Sequence, residues 1–188
     1  MGNKFYSKVQ ESPVIAAVNH PEKLEPAIQS PCEIIFLMAG NIFNLKNIVD
    51  RVKQKNMYIY IHIDLMEGFS KDATALKYIH DNIQPDGIIT TKSNLIKIAK
   101  DMNMFAIQRL FILDSLSLET GIKSIHHTKP DAIEILPGIM PKIIKTIHQE
   151  TRIPVIAGGL IQDKDDVIES LKAGAMGIST SKEEIWLL

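Results

Sequence analysis

Eight short apolar segments recur along the chain, and each is followed by a stretch with helical spacing. The segments are rich in Ile and Val and have the length of a strand. They cover residues 14–18, 33–38, 57–64, 86–90, 105–109, 131–136, 154–157 and 176–180. Helical spacing of apolar residues follows at 41–54, 71–82, 94–102, 116–126, 142–150 and 166–172, with briefer helices at 21–28 and 182–188. Strict strand–helix alternation predicts parallel strands joined by right-handed crossovers.

Two closures fit this alternation, an open doubly wound sheet and a closed barrel. Eight strands favour the barrel, although 188 residues are few for a fold that typically takes about 250. No linker, charge run or low-complexity stretch interrupts the chain. The sequence therefore predicts an α/β fold, a compact TIM-type (β/α)8 barrel forming a single domain over residues 1–188.

Composition narrows the class of protein. A hydrophobic share of 45% and a charged share of 23% are typical of a globular domain. The net charge of −1 argues against a surface that is basic all round, and leaves a local basic patch open. Residues 1–7 contain no apolar run of the signal-peptide kind, and no run approaches the roughly 20 residues of a membrane span. With a single cysteine, Cys32, and six scattered histidines, we expect a cytoplasmic protein with no membrane partner and no metal site.

The turns after the last two predicted strands carry the strongest signal for a ligand. Gly158 and Gly159 follow one strand, and Ser179, Thr180 and Ser181 end the other. Glycine lets backbone N–H groups approach a phosphate closely, and hydroxyls satisfy its other oxygens. Phosphate sites in these barrels recur after strands seven and eight. The alternative is a tight turn and a simple helix cap, but the two motifs together favour phosphate binding.

Polar side chains at the end of the third strand form a second candidate cluster. Two-residue alternation places Tyr58, Tyr60, His62 and Asp64 on one face, opposite an apolar face that should meet the helices. His62 and Asp64 should therefore lie near the barrel mouth and bind a ligand hydroxyl, or act as an acid–base or metal pair. A buried polar network is the alternative, above all for His62.

Charged residues end three further strands. Lys92 follows the fourth strand, Gln108 and Arg109 end the fifth, and Glu134 alternates with apolar residues on the sixth. An inward carboxylate needs a partner, and Arg109 or Lys92 is the natural one. The predicted strands contain no lysine, which argues against a Schiff-base aldolase.

Taken together, the strand-end strings resemble the glycerol-3-phosphate-responsive antiterminators, regulators of bacterial glycerol uptake operons. The matching strings include HIDL at 62–65, GIITTKSN at 87–94, AIQRLFILD at 106–114, DAIEILPGIMP at 131–141 and IPVIAGGL at 153–160. The resemblance continues through AGA at 173–175 and STS at 179–181, and so covers nearly the whole chain. The QR and LPGIMP strings are its most specific parts.

The resemblance implies a regulator without catalytic residues or cofactor, which binds glycerol 3-phosphate and acts on leader mRNA. On this chain Gly158, Gly159, Ser179, Thr180 and Ser181 would hold the phosphate. Asp64, Glu134 and His62 would face the glycerol hydroxyls, and Arg109, Lys92 and Gln108 would border the site or face RNA. An enzyme acting on a small phosphorylated metabolite, with His62, Asp64 and Glu134 as acid–base groups, is the alternative.

The RNA surface is less defined by the sequence. Local basic faces are expected in two places, and the alternative is that both are ordinary solvated surfaces. The first lies on the fourth and fifth strand–helix units and comprises Lys92, Lys97, Lys100 and Arg109. The second lies on the second helix and comprises Lys46, Arg51, Lys53 and Lys55. Ordering of strand-end loops or a change in a possible homo-oligomer would couple ligand to RNA.

Overall fold

A computed structural model of the chain describes residues 2–188, so Met1 of the predicted domain lies outside the described residues. Eight parallel strands are hydrogen-bonded in chain order, and β8 pairs with β1 to close a barrel. The strands are β1 (Val14–Val18), β2 (Ile34–Leu37), β3 (Tyr58–His62), β4 (Gly87–Thr90), β5 (Phe105–Phe111), β6 (Ala132–Leu136), β7 (Val155–Gly158) and β8 (Gly177–Thr180). The predicted TIM-type barrel is confirmed, and the open sheet is excluded.

Helices alternate with the strands, as predicted, and one more precedes them. They are α1 (Gly2–Glu11), α2 (Leu24–Gln29), α3 (Leu45–Gln54), α4 (Ala73–Tyr78), α5 (Ser93–Asp101), α6 (Ser115–Thr128), α7 (Pro141–Thr151), α8 (Lys164–Lys172) and α9 (Glu183–Trp186). A 3-10 turn at Pro21–Lys23 precedes α2, another at Ile63–Leu65 follows β3, and α4 continues into a π-helical turn at Ile79–Ile83. No described helix has the length and apolarity needed to cross a membrane.

Alternation along the strands divides the apolar residues into two cores. The larger core lies between the strands and the surrounding helices, and it includes Ile59, Ile61 and Ile63. The smaller core fills the barrel interior, where Phe36, Tyr60 and other inward residues meet. The predicted orientation of β3 is therefore confirmed, with Tyr60 inside and the isoleucines outside.

Helix α1, which the sequence analysis does not predict, closes the amino end of the barrel. Its Phe5 and Val9 are buried in the interior core, and the Phe5 ring lies 4.7 Å from Phe105 and 5.1 Å from Tyr60 between centroids. Tyr6 adds a hydrogen bond of 2.8 Å from its hydroxyl to the carbonyl of Asp131. The plug leaves the polar inward residues at the carboxyl end of the barrel.

Candidate anion-binding site at the barrel mouth

A cavity of about 150 Å³ opens at the carboxyl ends of the strands. Most of its lining comes from β5 to β8 and the turns that follow them. The lining residues are Ala17, Met38, Arg109, Glu134, Leu136, Gly159, Leu160, Ile161, Gln162, Ser179, Thr180, Ser181 and Lys182. Six residues that the sequence singles out therefore come together here: Arg109, Glu134, Gly159, Ser179, Thr180 and Ser181.

Two adjacent glycines after β7 have different roles. Gly159 lines the cavity and has a φ of 72°, a left-handed conformation that favours glycine. Gly158 is not among the lining residues. A Cβ atom at position 158 would lie only 2.9 Å from Oε1 of Glu134. Gly158 therefore makes room for the Glu134 carboxylate, and Gly159 is the one that brings backbone to the cavity.

Glu134 and Arg109 form a buried ion pair in the wall of the cavity. The Nε of Arg109 donates to Oε2 of Glu134 at 2.6 Å, and the two side chains are only 6% and 1% exposed. The pairing partner expected from the sequence is confirmed as Arg109, not Lys92. Nη2 of Arg109 contacts the sulfur of Met38 at 3.2 Å, which is a weak acceptor. The guanidinium therefore keeps donor capacity for an anion.

The end of β8 supplies hydroxyl groups and a cation. Ser179 is 3% exposed, and the hydroxyl of Thr180 accepts the backbone N–H of Lys182 at 3.2 Å. The ammonium of Lys182 donates to the carbonyl of Gln162 at 3.3 Å, which links the β8 turn to the β7 turn across the cavity. Lys182 and Gln162 are lining residues that the sequence analysis misses. Position is their only signal in the sequence: Lys182 directly follows Ser181, and Gln162 lies three residues after Gly159.

Asp64 does not line the cavity. β3 ends at His62 and the 3-10 turn follows, so extending the alternation to Asp64 is wrong. Its carboxylate accepts hydrogen bonds from the Thr90 hydroxyl at 2.9 Å, the Thr91 N–H at 2.8 Å and the Thr91 hydroxyl at 2.9 Å. Burial raises the pKa of Asp64, but these hydrogen bonds lower it more, and the net pKa lies below its ordinary value. Asp64 holds the end of β4 in place.

His62 points into the barrel beneath the mouth, 3% exposed, and is not among the lining residues. Its Nδ1 is buried without a hydrogen-bond partner among the described residues. Burial lowers the pKa of His62 to about 4, with a further lowering by the charge of Arg109, although Asp64 acts in the opposite direction. The imidazole is therefore neutral at physiological pH.

The other two predicted border residues lie away from the cavity. Lys92 is an exposed residue between β4 and α5. Gln108 faces α6, where its amide donates to the Ser124 hydroxyl at 2.7 Å and its carbonyl accepts from the Thr128 hydroxyl at 2.6 Å. Gln108 is buried and does not border the cavity, because alternation along β5 turns it outward when Arg109 points inward.

A larger cavity of about 600 Å³ lies at the opposite end of the barrel. Its cation, Lys100, is paired with Asp131 at 2.8 Å. The mouth cavity is the better candidate despite its smaller volume, because inward charge, hydroxyls and a glycine turn converge on it. In the described part of the chain no three His, Cys, Asp or Glu side chains come together as a possible metal site.

The fold and the site define a class of protein, a (β/α)8 barrel with a polar cavity at the carboxyl ends of its strands. Within that class the chain belongs to the glycerol-3-phosphate responsive antiterminator family, whose model matches residues 14–186. The resemblance seen in the sequence is thereby confirmed.

Three relatives support the assignment across nearly the whole chain. The uncharacterized protein YgcP of Escherichia coli K12 is 39% identical over 180 residues, which cover 96% of this chain and 94% of that protein. The glycerol uptake operon antiterminator regulatory protein of Listeria monocytogenes has 34% identity and a TM-score of 0.90, covering 93% of this chain and 95% of that one. A glycerol uptake operon antiterminator-related protein of Thermotoga maritima has 30% identity and a TM-score of 0.84, with 93% and 98% covered.

More distant barrels share the fold alone. The deoxyribose phosphate aldolase of Aeropyrum pernix has a TM-score of 0.72 at 13% identity, covering 96% of this chain and 90% of that one. The eight strands described here contain no lysine, the residue that a Schiff-base aldolase requires.

Proposed function

We propose that this chain binds glycerol 3-phosphate at the mouth cavity and responds by acting on the leader mRNA of glycerol-utilisation operons as a cytoplasmic antitermination regulator. The observation that carries the proposal is the convergence of Lys182, the β8 hydroxyls and the Arg109–Glu134 pair on one small cavity. The family match supports the same ligand.

The two ends of the cavity suit the two ends of the ligand. Lys182, Gly159 and Ser179–Ser181 provide a cation, backbone and hydroxyls for a phosphate, in the manner of other phosphate sites after the last two strands of such barrels. The Glu134 carboxylate beneath them is an acceptor for glycerol hydroxyls. A volume of about 150 Å³ fits a ligand of this small size and leaves little room for a larger sugar phosphate.

Two of the three acid–base groups of the enzyme alternative, Asp64 and Glu134, are already engaged. Asp64 accepts three hydrogen bonds from Thr90 and Thr91, and Glu134 is held by Arg109. A carboxylate whose lone pairs are held in this way is a poor general base, and for Asp64 the lowered pKa also opposes proton uptake. This arrangement favours a binding protein over the enzyme alternative.

Charge distribution supports an RNA surface on α5 and α6. Residues 92–129, which span α5 and α6, contain six Lys or Arg, one of them the buried Arg109, and three Asp or Glu, whereas residues 155–188 contain three and six. Lys97, His126 and His127 are exposed on the adjoining helices α5 and α6, and Lys129 is exposed directly after α6. Lys97 contacts His127, and Lys123 is paired with Glu119. On the other expected face, Lys46, Arg51 and Lys53 are paired with Asp50, Glu25 and Asp86. The α5–α6 face is therefore the better candidate for phosphate backbone contacts.

Calorimetric titration with sn-glycerol 3-phosphate, glycerol and inorganic phosphate tests the ligand. We expect micromolar affinity that requires both parts of the ligand. Lys182→Gln should weaken binding about tenfold or more, since a charge-assisted hydrogen bond contributes about 1.5–3 kcal/mol. Ser179→Ala should weaken it less.

Lys172→Gln is the matched control, because Lys172 is an exposed lysine in the last turn of α8 and is not among the lining residues of the cavity. Absence of binding by glycerol 3-phosphate, with binding of a different phosphorylated compound, would refute the proposed effector.

A further inference from the structure

Large apolar side chains are exposed on both sides of the barrel mouth. On the first side, Phe43 is 94% exposed, and Ile42 and Leu65 are close to half exposed. A parallel bridge between Asn41 and Glu67 joins the loops that carry them. This side of the mouth thus presents an aromatic ring flanked by two aliphatic residues.

The second side of the mouth is broader. It carries Phe111, Leu113, Leu116, Ile139 and Leu160, which are between 40% and 82% exposed. Backbone hydrogen bonds from Ile112 to Leu136 at 2.8 Å and from Gly138 to Gly159 at 3.0 Å join the three loops concerned. We call the two sides together the mouth rim. Large apolar side chains exposed together in this way mark an interaction site.

Leu160, a residue of the mouth rim, has a backbone conformation that is unfavourable for its side chain. Its φ of 60° lies in the left-handed region, which is unfavourable for a bulky side chain. The residue is 60% exposed and also lines the ligand cavity. Such strain is concentrated at functional sites. The geometry places this leucine where a partner on the rim and a ligand in the cavity both meet it.

The charge of this face argues against RNA as the occupant. The segments that follow the strands are 19–23, 38–44, 63–72, 91–92, 112–114, 137–140, 159–163 and 181–182. Together they contain six Asp or Glu and four Lys. An RNA backbone needs an excess of cations, which lies instead on α5 and α6. A partner with matching apolar surface fits the mouth rim better.

We propose that the occupant is a second copy of this chain, which covers the mouth and encloses the ligand cavity. In a two-fold arrangement the Phe43 side of each copy packs against the broader Leu113 side of the other. The eight large apolar side chains of the rim are each at least 40% exposed, and they are the surface that would contribute to the roughly 800 Å² each partner buries in a stable interface. Phe43 is the aromatic anchor of the contact.

Sedimentation equilibrium across the micromolar range tests the proposal with the full chain, with and without sn-glycerol 3-phosphate. We expect the wild-type chain to dimerise. Phe43→Asp and Leu113→Asp should each weaken the dimer by about 30-fold or more, as loss of an interface anchor does. Leu187→Asp is the control, because Leu187 is 72% exposed but lies after α9, away from the mouth. Because the substituted side chains are largely exposed, circular dichroism and melting should stay unchanged.

A monomeric wild-type chain at all these concentrations, in both ligand conditions, would overturn the proposal. Loss of leader RNA binding in Phe43→Asp, with no change in its association state, would also overturn the proposal. That result would mean that the mouth rim binds RNA by stacking on its bases. Calorimetry on Phe43→Asp separates this result from the ligand proposal, because the lining of the cavity is intact in that variant.

Discussion

At the scale of single residues, the mouth depends on one buried charge and the space left for it. Glu134 is 1% exposed, and the pair with Arg109 makes its burial tolerable. That carboxylate in turn excludes any side chain at position 158, since a Cβ would approach Oε1 to 2.9 Å. Glycine, carboxylate and guanidinium therefore form one unit across β5, β6 and β7.

His62 lies close enough to this unit for the charge of Arg109 to lower its pKa. The imidazole is buried with Nδ1 unpartnered among the described residues, and the Arg109 charge opposes its protonation. Burying a polar atom without a hydrogen bond costs about 1–3 kcal/mol. A ligand hydroxyl that reached Nδ1 would remove that cost. His62 is thus a candidate for direct ligand contact below the lining residues.

His62 should make stability fall between pH 6.5 and pH 4. Its pKa is lowered from 6.5 to about 4 in the folded state, so the unfolded chain binds the proton more tightly in this window. The stabilisation is complete above pH 6.5 and is lost as pH falls towards 4, by roughly 2–3 kcal/mol. Urea unfolding of the wild type and His62→Asn at pH 7, 5.5 and 4 measures it, and the variant should show the smaller loss.

Asp64 provides an internal check on this pH window. Its pKa is below the ordinary 3.8, so its contribution is lost only at lower pH, beneath the His62 window. Equal losses for wild type and His62→Asn between pH 7 and 4 would show that His62 is not responsible.

At the scale of elements, α1 decides which end of the barrel is open. The barrel interior would be exposed at its amino end without Phe5 and Val9, which are 1% and 0% exposed. Phe5 packs against Tyr60 and Phe105, from two different strands. The helix therefore acts as a plug that joins strands far apart in the chain.

Replacing Phe5 should test the plug. Phe5→Ala removes a fully buried ring and should lower the free energy of unfolding by about 3–5 kcal/mol. Phe5→Leu keeps most of the volume and should cost less than about 1.5 kcal/mol. Urea denaturation provides the values, with Lys4→Ala as an exposed control on the same helix. Near-equal stability of Phe5→Ala and the wild type would show that α1 is not part of the cooperative unit.

The elements also show which features a sequence can predict. Strand–helix alternation predicts the barrel, because every strand needs apolar residues on both faces. It misses α1, which lies outside the repeat, and it misses the 3-10 turn that moves Asp64 towards β4. The sequence does not predict the role of Lys182 either, because that role depends on a contact between the β7 and β8 turns. Lys182 and Gln162, which make this contact across the cavity, are 20 residues apart.

At the scale of the whole molecule, the proposed functions fall on different faces. The amino end is closed by α1, the carboxyl end carries the mouth cavity and the apolar mouth rim, and excess positive charge lies on α5 and α6. Helix α6 begins directly after β5, which ends at the rim residue Phe111. Ser93 of α5 is tied to Ser124 of α6 at 2.8 Å, and Gln108 of β5 donates to the same hydroxyl. The strand that carries Arg109 into the cavity is thus joined to the basic face.

This connection leads to a prediction about RNA. Leader transcript of a glycerol uptake operon should bind through α5 and α6, and sn-glycerol 3-phosphate should change its affinity by about 5- to 150-fold, the range of 1–3 kcal/mol in coupling free energy. Each cation that contacts a phosphate contributes about 0.7 to the slope of log affinity against log salt concentration for a single strand. Lys97→Gln and Lys129→Gln should each reduce that slope by about this amount in filter-binding titrations. Lys46→Gln is the matched control, because Lys46 is already paired with Asp50 on α3. If the slope falls only in Lys46→Gln, the RNA binds at α3 and not at α5 and α6. If the ligand does not change the RNA affinity, the cavity and the RNA surface are not coupled.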